Sequence, residues 1–175
     1  TIKRMEKIQK VIIVTPTFNE RNSIEKVIDL ILAQNAKVAG FDIHVLVVDS
    51  HSPDGTGDIA RKIAEENSKV HFLDIEERGL GRAIIFGYKY ALDKLGADVL
   101  MQIDADLQHN PNEIPLFLEK IKQGYEYVQG SRYITGGENK ISFMRQLFSH
   151  GSSFICRLLT GIWVITDFTP SYKAY

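Results

Sequence analysis

The amino-acid sequence predicts an α/β fold with a mostly parallel central sheet and helices on both faces. Short, near-continuous runs of β-branched and aliphatic residues alternate with segments whose apolar residues recur at helical spacing. Loops rich in turn residues separate the runs from the helices. The chain has 175 residues, 44% of them hydrophobic and 25% charged, which suits one globular domain with a substantial core.

The strands and helices follow one another in regular pairs. The runs KVIIVTP (10–16), IHVLVVD (43–49), VHFLDI (70–75) and DVLMQID (98–104) each precede a helical pattern, and YEYVQGSRY (125–133) predicts a fifth strand. For the first helix, Asn22 and Glu25 predict a capping box. For the second, Thr56 is the predicted cap. The third helix is expected near residues 80–95, and Pro111 opens the fourth.

Composition narrows the function. The 21 basic and 22 acidic residues give a formal net charge of −1, so we expect no nucleic-acid partner on whole-chain electrostatics. The single cysteine, Cys156, excludes an internal disulfide framework and a cysteine-based zinc cluster. No apolar run reaches the roughly 18 residues that a membrane-spanning helix needs.

Polar clusters follow the predicted strands: TPTFNE (15–20), DSHSPDGT (49–56), DADLQH (104–109) and GSRY (130–133). In open α/β sheets, ligands bind beyond the carboxyl ends of the strands. Asp104 and Asp106 are adjacent carboxylates that repel each other unless a cation neutralises them. With Gln108 they offer the oxygen ligands that Mg²⁺ and Mn²⁺ prefer. Solvated loop carboxylates are the alternative.

Five blocks in order carry a closer resemblance. TPTFNE, VVDSHSPDGT (47–56), GLGRAIIFGYKYAL (79–92), IDADLQHNPNEIP (103–115) and GSRYITGG (130–137) resemble the inverting family 2 glycosyltransferases with a GT-A fold, and most of all the dolichol-phosphate and polyprenol-phosphate mannose synthases. The resemblance covers nearly the whole chain. It implies a single GT-A-like domain over residues 1–175, whereas family members continue past the position of Tyr175 with further C-terminal segments. A fragment and a divergent short member are both open.

The resemblance also implies site residues. The implied nucleotide-sugar contacts are Pro16, Phe18, Glu20, Val47, Asp49, Asp104, Ala105, Asp106 and Arg132. Asp104, Asp106 and Gln108 would hold Mg²⁺ or Mn²⁺, and Asp106 and Arg132 would be catalytic. Alternative interpretations are a turn aspartate for Asp49, a solvated residue for Glu20 and a surface salt bridge for Arg132.

The activity implied by the resemblance is metal-dependent transfer of mannose from GDP-mannose to dolichyl or polyprenyl phosphate with inversion. Alternatives are a related transferase using UDP-glucose or another acceptor, and a noncatalytic module that binds nucleotide sugars. The lipid acceptor implies a cytoplasmic protein that is peripheral to a membrane surface. A membrane-anchoring partner subunit is compatible with this expectation. FICRLLTGIWVIT (154–166), with Trp163, is either an interfacial segment or an ordinary core helix followed by a strand.

Departures from the family pattern fall in two places. Ser50 stands where a second aspartate is usual. Late in the chain, His150, Pro170 and Lys173 stand where arginine, glycine and arginine are usual. Lysine keeps the charge but loses the planar fork of arginine, so these changes bear mainly on acceptor binding.

Overall fold

The computed structural model describes residues 8–131, 151, 156, 158, 159, 161 and 172–175. The chain divides into two compact units, residues 1–128 with 172–175, and residues 129–171. The first unit contains the helices and nearly all of the sheet described below. Several predicted features lie outside the described residues: Arg132, His150, Pro170 and the segment around Trp163.

Among the described residues, six strands form one sheet. The strands are β1 (Gln9–Thr17), β2 (Phe41–Asp49), β3 (Val70–Asp74), β4 (Val99–Gln102), β5 (Val128–Gln129) and β6 (Lys173–Ala174). Their order across the sheet is β3-β2-β1-β4-β6-β5. The neighbours among β1 to β4 pair in parallel, and β6 runs antiparallel to β4. The predicted α/β fold with a mostly parallel sheet is confirmed.

Helices cover both faces of this sheet, as expected. They are α1 (Ile24–Leu32), α2 (Thr56–Glu66), α3 (Leu80–Asp93) and α4 (Ile114–Lys122), with short 3-10 helices over Ala33–Lys37 and Pro111–Glu113. Val11 and Ile13 of β1 belong to the core shared with α1, α2 and α4. Ile12 and Val14 belong to the core shared with α3. Successive side chains of a strand point to opposite faces, so one apolar strand supplies both cores.

A glycine sets how closely α3 approaches the sheet. A Cβ atom on Gly87 would lie 2.6 Å from Cγ1 of Val14 and 2.9 Å from Cγ2 of Val48. Both valines are fully buried, and their branched side chains have little rotational freedom. The missing side chain therefore lets the helix backbone pack directly against β1 and β2.

The strand order places a switch point between β1 and β4. The chain builds β1, β2 and β3 towards one edge and then returns to place β4 on the other side of β1. The loops leaving β1 and β4 diverge at such a point and open a crevice at the carboxyl end of the sheet. The sequence carries TPTFNE and DADLQH at these two strand ends.

Two helix caps were predicted wrongly. Ser23, not Asn22, is the N-cap residue of α1, and no side chain caps that helix. Gly55, with φ +89°, precedes α2, so Thr56 is its first helical residue. At α2, the Thr56 hydroxyl instead accepts from the Glu20 backbone N–H and donates to Asp54 Oδ1. At α1, the backbone N–H groups of Ser23 and Ile24 donate to the Glu20 carbonyl.

The fifth strand is shorter than YEYVQGSRY predicts, since only Val128–Gln129 is extended and paired within the described part of that run. The pairing of β6 with β4 was not predicted. Ala174 pairs with Met101 and Lys173 with Gln102. A two-residue strand has no periodicity that a sequence pattern can reveal.

Candidate functional site

A cavity of about 360 Å³ lies at the switch point. It brings together six of the predicted site residues: Pro16, Phe18, Glu20, Asp104, Ala105 and Asp106. Pro16 lies near the end of β1, Phe18 and Glu20 follow it, and the last three follow β4. Residues separated by more than eighty positions therefore meet at the carboxyl ends of neighbouring parallel strands.

The other predicted residues lie elsewhere. Val47 is fully buried in the core on the side of α1 and α2, so its side chain does not line the cavity. Gln108 is exposed and is also not among the lining residues. Arg132 is outside the described residues. Their roles in nucleotide or metal binding stay predictions.

Asp49 fastens the loop after β2. Its side chain is buried, and Oδ1 accepts hydrogen bonds from Thr17 Oγ1 at 2.8 Å and Ser52 Oγ at 2.7 Å. Oδ2 accepts from the Ser52 backbone N–H at 2.8 Å. This geometry is that of a turn aspartate, the alternative that the sequence left open. A nucleotide contact through Asp49 would have to share a carboxylate that already accepts three hydrogen bonds.

The loop after β1 is tied to the loop after β2. The Glu20 backbone N–H donates to Thr56 Oγ1 at 2.9 Å, and Arg21 Nη1 donates to the Asp54 carbonyl at 2.9 Å. Thr56 Oγ1 donates in turn to Asp54 Oδ1 at 2.6 Å, and this bond holds the pKa of Asp54 below its ordinary value. These contacts hold Glu20 at the cavity before any ligand binds, which limits the ordering that binding requires.

Glu20 also organises the start of α1. Its side-chain Oε2 accepts a hydrogen bond from Ser23 Oγ at 2.8 Å, and its carbonyl accepts from the backbone N–H groups of Ser23 and Ile24. Glu20 is therefore more than a solvated residue near a helix start. The same residue fixes the first turn and presents a carboxylate at the cavity.

Asp104 and Asp106 present carboxylates from a tight turn after β4. Asp106 Oδ1 accepts from the Gln108 backbone N–H at 3.0 Å, and Leu107 between them has a positive φ of 61°. The Asp104 side chain is 29% exposed, whereas Asp106 is an exposed residue. The turn thus engages the backbone of Gln108 and leaves its side chain away from the cavity.

His109 and Tyr172 support this turn. The Asp104 backbone N–H lies 3.4 Å from His109 Nδ1. The His109 ring stacks on Tyr172 with 5.1 Å between ring centroids, and Tyr172 stacks on Phe117 at 4.3 Å. Tyr172 Oη donates to the Asn110 carbonyl at 3.2 Å, and burial raises the pKa of Tyr172, which keeps the hydroxyl protonated. These contacts indicate a supporting role for His109.

The carboxylates fit a divalent ion with few protein ligands. Within residues 8–131 and the few later positions described, no cluster of three or more acidic, histidine or cysteine side chains is arranged to hold a metal. Asp104 and Asp106 nonetheless line one cavity. Mg²⁺ and Mn²⁺ suit one or two carboxylates, with water and substrate phosphates as the remaining ligands. The donor set therefore fits an ion that binds together with a phosphorylated ligand.

Sequence reasoning missed a cationic side chain at the cavity. Arg78 lines it, and its guanidinium carbon lies 5.1 Å from the centroid of the Phe18 ring. Gly79 follows with φ +126°, a conformation open to glycine and strained for other residues. The available signal in the sequence was the position of Arg78 directly before the glycines of GLG (79–81).

Comparison with known sequences identifies the family. The sequence profile described as Glycosyl transferase family 2 matches residues 12–175. The chain belongs to glycosyl transferase family 2. It is 37% identical over 150 residues to the dolichol-phosphate mannosyltransferase of Pyrococcus furiosus, covering 85% of this chain and 41% of that protein. It is 36% identical over 168 residues to the undecaprenyl-phosphate mannosyltransferase of Micrococcus luteus, covering 95% of this chain and 66% of that protein.

The chain thus spans less than two thirds of the length of both relatives. Among solved structures, glucosyl-3-phosphoglycerate synthase from Mycobacterium tuberculosis, in complex with Mn²⁺, UDP and glucosyl-3-phosphoglycerate, matches with a TM-score of 0.66. The match has 21% sequence identity and covers 95% of this chain and 56% of that one. At this identity the likeness concerns the fold, and the GT-A fold expected from the sequence is confirmed.

Proposed function

We propose that this family 2 domain transfers mannose from GDP-mannose to a polyprenyl or dolichyl phosphate with inversion at the anomeric carbon. One structural observation carries the proposal: Asp104 and Asp106 line a cavity at the switch point together with Phe18 and Glu20. The names of the relatives from Pyrococcus furiosus and Micrococcus luteus support mannose as the sugar and a lipid phosphate as the acceptor.

The chemistry follows from the charges of the reactants. An oxygen of the acceptor phosphate attacks the anomeric carbon from the face opposite the diphosphate. The bond from that carbon to the diphosphate oxygen breaks, and the products are the mannosyl ester of the lipid phosphate and GDP. The acceptor phosphate is already anionic, so it needs positioning more than a general base. The proposed reaction therefore requires no proton transfer to His109.

Asp104 and Asp106 would hold the divalent ion, Mg²⁺ or Mn²⁺. Such an ion neutralises the charge that develops on the departing diphosphate. Ala105, between the two carboxylates, is buried and lines the same cavity, so its backbone would approach the sugar nucleotide closely. Arg132 would steady phosphate charge through its bidentate guanidinium. Gln108 would join the ion only if its exposed side chain turned inward.

The nucleotide would lie along the β1 side of the cavity. Pro16 and Phe18 supply apolar surface there, and the Phe18 side chain is 43% exposed, so its ring is available for stacking. Asp49 stays a proposed contact for the base or ribose, reached by sharing its hydrogen bonds with Thr17 and Ser52. Val47 would act from behind, by supporting the wall that Asp49 ends.

The acceptor places the reaction at a membrane surface. Every helix in the described parts of the chain is too short or too polar to cross a bilayer. We propose peripheral association because the proposed acceptor is a lipid phosphate, with residues 1–175 acting as one catalytic domain. A membrane-anchoring partner subunit is consistent with this arrangement.

A panel of donors and acceptors tests the proposal. GDP-mannose, GDP-glucose, UDP-glucose and UDP-mannose are each incubated with a short polyprenyl phosphate, with and without Mn²⁺, and lipid-linked sugar is quantified. We expect product from GDP-mannose only when the ion is present. Turnover of UDP-glucose alone would favour the related transferase, and tight nucleotide binding without turnover would favour a binding module.

A further inference from the structure

The charges around the cavity are unbalanced for an anionic ligand. Of the described residues that line it, Glu20, Asp104 and Asp106 are acidic and Arg78 is the one basic residue. A nucleotide diphosphate adds further negative charge to this site. A divalent ion between Asp104 and Asp106 would balance the β4 side, but it leaves the opposite side dependent on the protein's own cations.

Arg78 is held at the cavity in a way that leaves its donors available. Its guanidinium lies over the Phe18 ring at 5.1 Å from the centroid. A cation over an aromatic ring is attracted by the ring and forms no hydrogen bond to a carboxylate or carbonyl in doing so. The N–H groups of a guanidinium can then bind phosphate oxygens in pairs. Phe18 therefore orients Arg78 without consuming its hydrogen-bonding capacity.

A neighbouring arginine makes a useful contrast. Nη1 of Arg82 donates to Glu77 Oε2 at 2.7 Å, and Arg82 is not among the residues that line the cavity. Within the described part of the chain, Arg78 forms no ion pair with a carboxylate. Two arginines on one short segment thus differ in role: one is paired on the surface, and one faces the cavity.

The backbone explains why Arg78 reaches the cavity. It lies between β3, which ends at Asp74, and α3, which begins at Leu80. Gly79 has a positive φ of +126°, and this conformation turns the chain between Arg78 and the helix. A Cβ at Gly79 would meet no atom within 4 Å, so glycine is needed here for its conformation and not for space.

We propose that Arg78 binds a phosphate group in this cavity, namely the diphosphate of the nucleotide sugar, and that Phe18 holds it in position to do so. The proposal rests on the proposed function, because it assigns one contact to the same donor substrate. The phosphate of the lipid acceptor offers the same chemistry and is the other source to be tested.

Calorimetry separates the two sources. GDP, guanosine and a short polyprenyl phosphate are titrated, with Mn²⁺ present, into the parent protein, Arg78→Gln, Arg78→Lys and the control Arg82→Gln. We expect Arg78→Gln to weaken GDP about tenfold or more, as loss of charge-assisted hydrogen bonds predicts, and to leave guanosine nearly unchanged. Arg78→Lys should recover part of the affinity, and Arg82→Gln should match the parent. Melting temperatures check that each variant is folded.

The outcomes distinguish this inference from the proposed function. Equal GDP affinity in the parent and in Arg78→Gln overturns the role of Arg78 and leaves the proposed function standing. An equal loss for guanosine also overturns it, because the effect would not depend on phosphate. A loss confined to polyprenyl phosphate overturns the assignment to the donor. A parent protein that binds no GDP in the presence of Mn²⁺ contradicts both proposals.

Discussion

The close contact between α3 and the sheet predicts that Gly87→Ala destabilises the protein. The new Cβ would lie 2.6 Å from Val14 Cγ1 and 2.9 Å from Val48 Cγ2, about 1 Å inside the usual separation of carbon atoms. Overpacking of this kind costs about 1–3 kcal/mol. The greater helix propensity of alanine returns about 1 kcal/mol. We therefore expect a net loss of up to about 2 kcal/mol in the free energy of unfolding.

Gly81→Ala is the matched control because it places the same substitution in the same helix. A Cβ at Gly81 would meet no atom within 4 Å. The propensity gains largely cancel between the two variants, so their difference measures the overpacking at Gly87, about 1–3 kcal/mol. Urea unfolding gives the free energies, with equal slopes required for the comparison. Equal stability of the two variants would refute the packing of α3 described here.

Four further predictions concern the site and its surroundings. Asp106→Asn should weaken Mn²⁺-dependent binding of GDP-mannose and leave the melting temperature nearly unchanged, because the amide oxygen can still accept from the Gln108 N–H; Asp58→Asn, at a carboxylate 83% exposed on α2, should alter neither. Arg132→Lys should reduce turnover more than it reduces donor affinity, because it should cost about 2–4 kcal/mol of transition-state stabilisation. Unchanged transfer would remove Arg132 from the catalytic residues. Asp49→Asn should lower the free energy of unfolding by about 1–3 kcal/mol, because an amide N–H₂ would face donors that now share a carboxylate; unaltered urea unfolding would argue against the turn role. Burial, then the nearby His44 and Lys10, lower the pKa of His71 below 6.5, so the unfolded chain binds more protons there and stability should fall as the pH drops below about 6.5. A urea midpoint independent of pH between 7 and 5.5 would contradict that assignment. So would a His71→Gln variant whose urea midpoint changes with pH as much as that of the parent protein.

The sequence was most informative where burial decides structure. β1 and β2 each contain an unbroken apolar run, VIIV (11–14) and VLVV (45–48), because helices cover both faces of the sheet. Such runs are recognisable without any structure. Local hydrogen bonds were harder to predict. Asn22 and Thr56 fit capping patterns, but Glu20 organises the start of α1 and Thr56 bridges two loops. Such choices depend on residues distant in sequence that meet only in the folded chain.

The candidate site was predictable in position more than in orientation. Asp104 and Asp106 follow a buried strand, and strand ends converge, so their meeting with Phe18 could be inferred. Val47 shows the limit, because strand alternation turns its side chain into the core on the side of α1 and α2. Arg78 shows the opposite error. Its role depends on the ring of Phe18, and no spacing in the sequence brings those two residues together.

Paramagnetic broadening by Mn²⁺ tests most directly whether this cavity holds a metal and a nucleotide sugar together. Backbone amide signals of the ¹⁵N-labelled protein are recorded with substoichiometric Mn²⁺, with and without GDP-mannose. We expect GDP-mannose to focus the loss of signal on residues 104–106 and 18–20, and Asp106→Asn to abolish that focus. Broadening centred on the exposed carboxylates of Asp58 and Asp74, unchanged by GDP-mannose, would contradict a nucleotide-sugar site at the switch point.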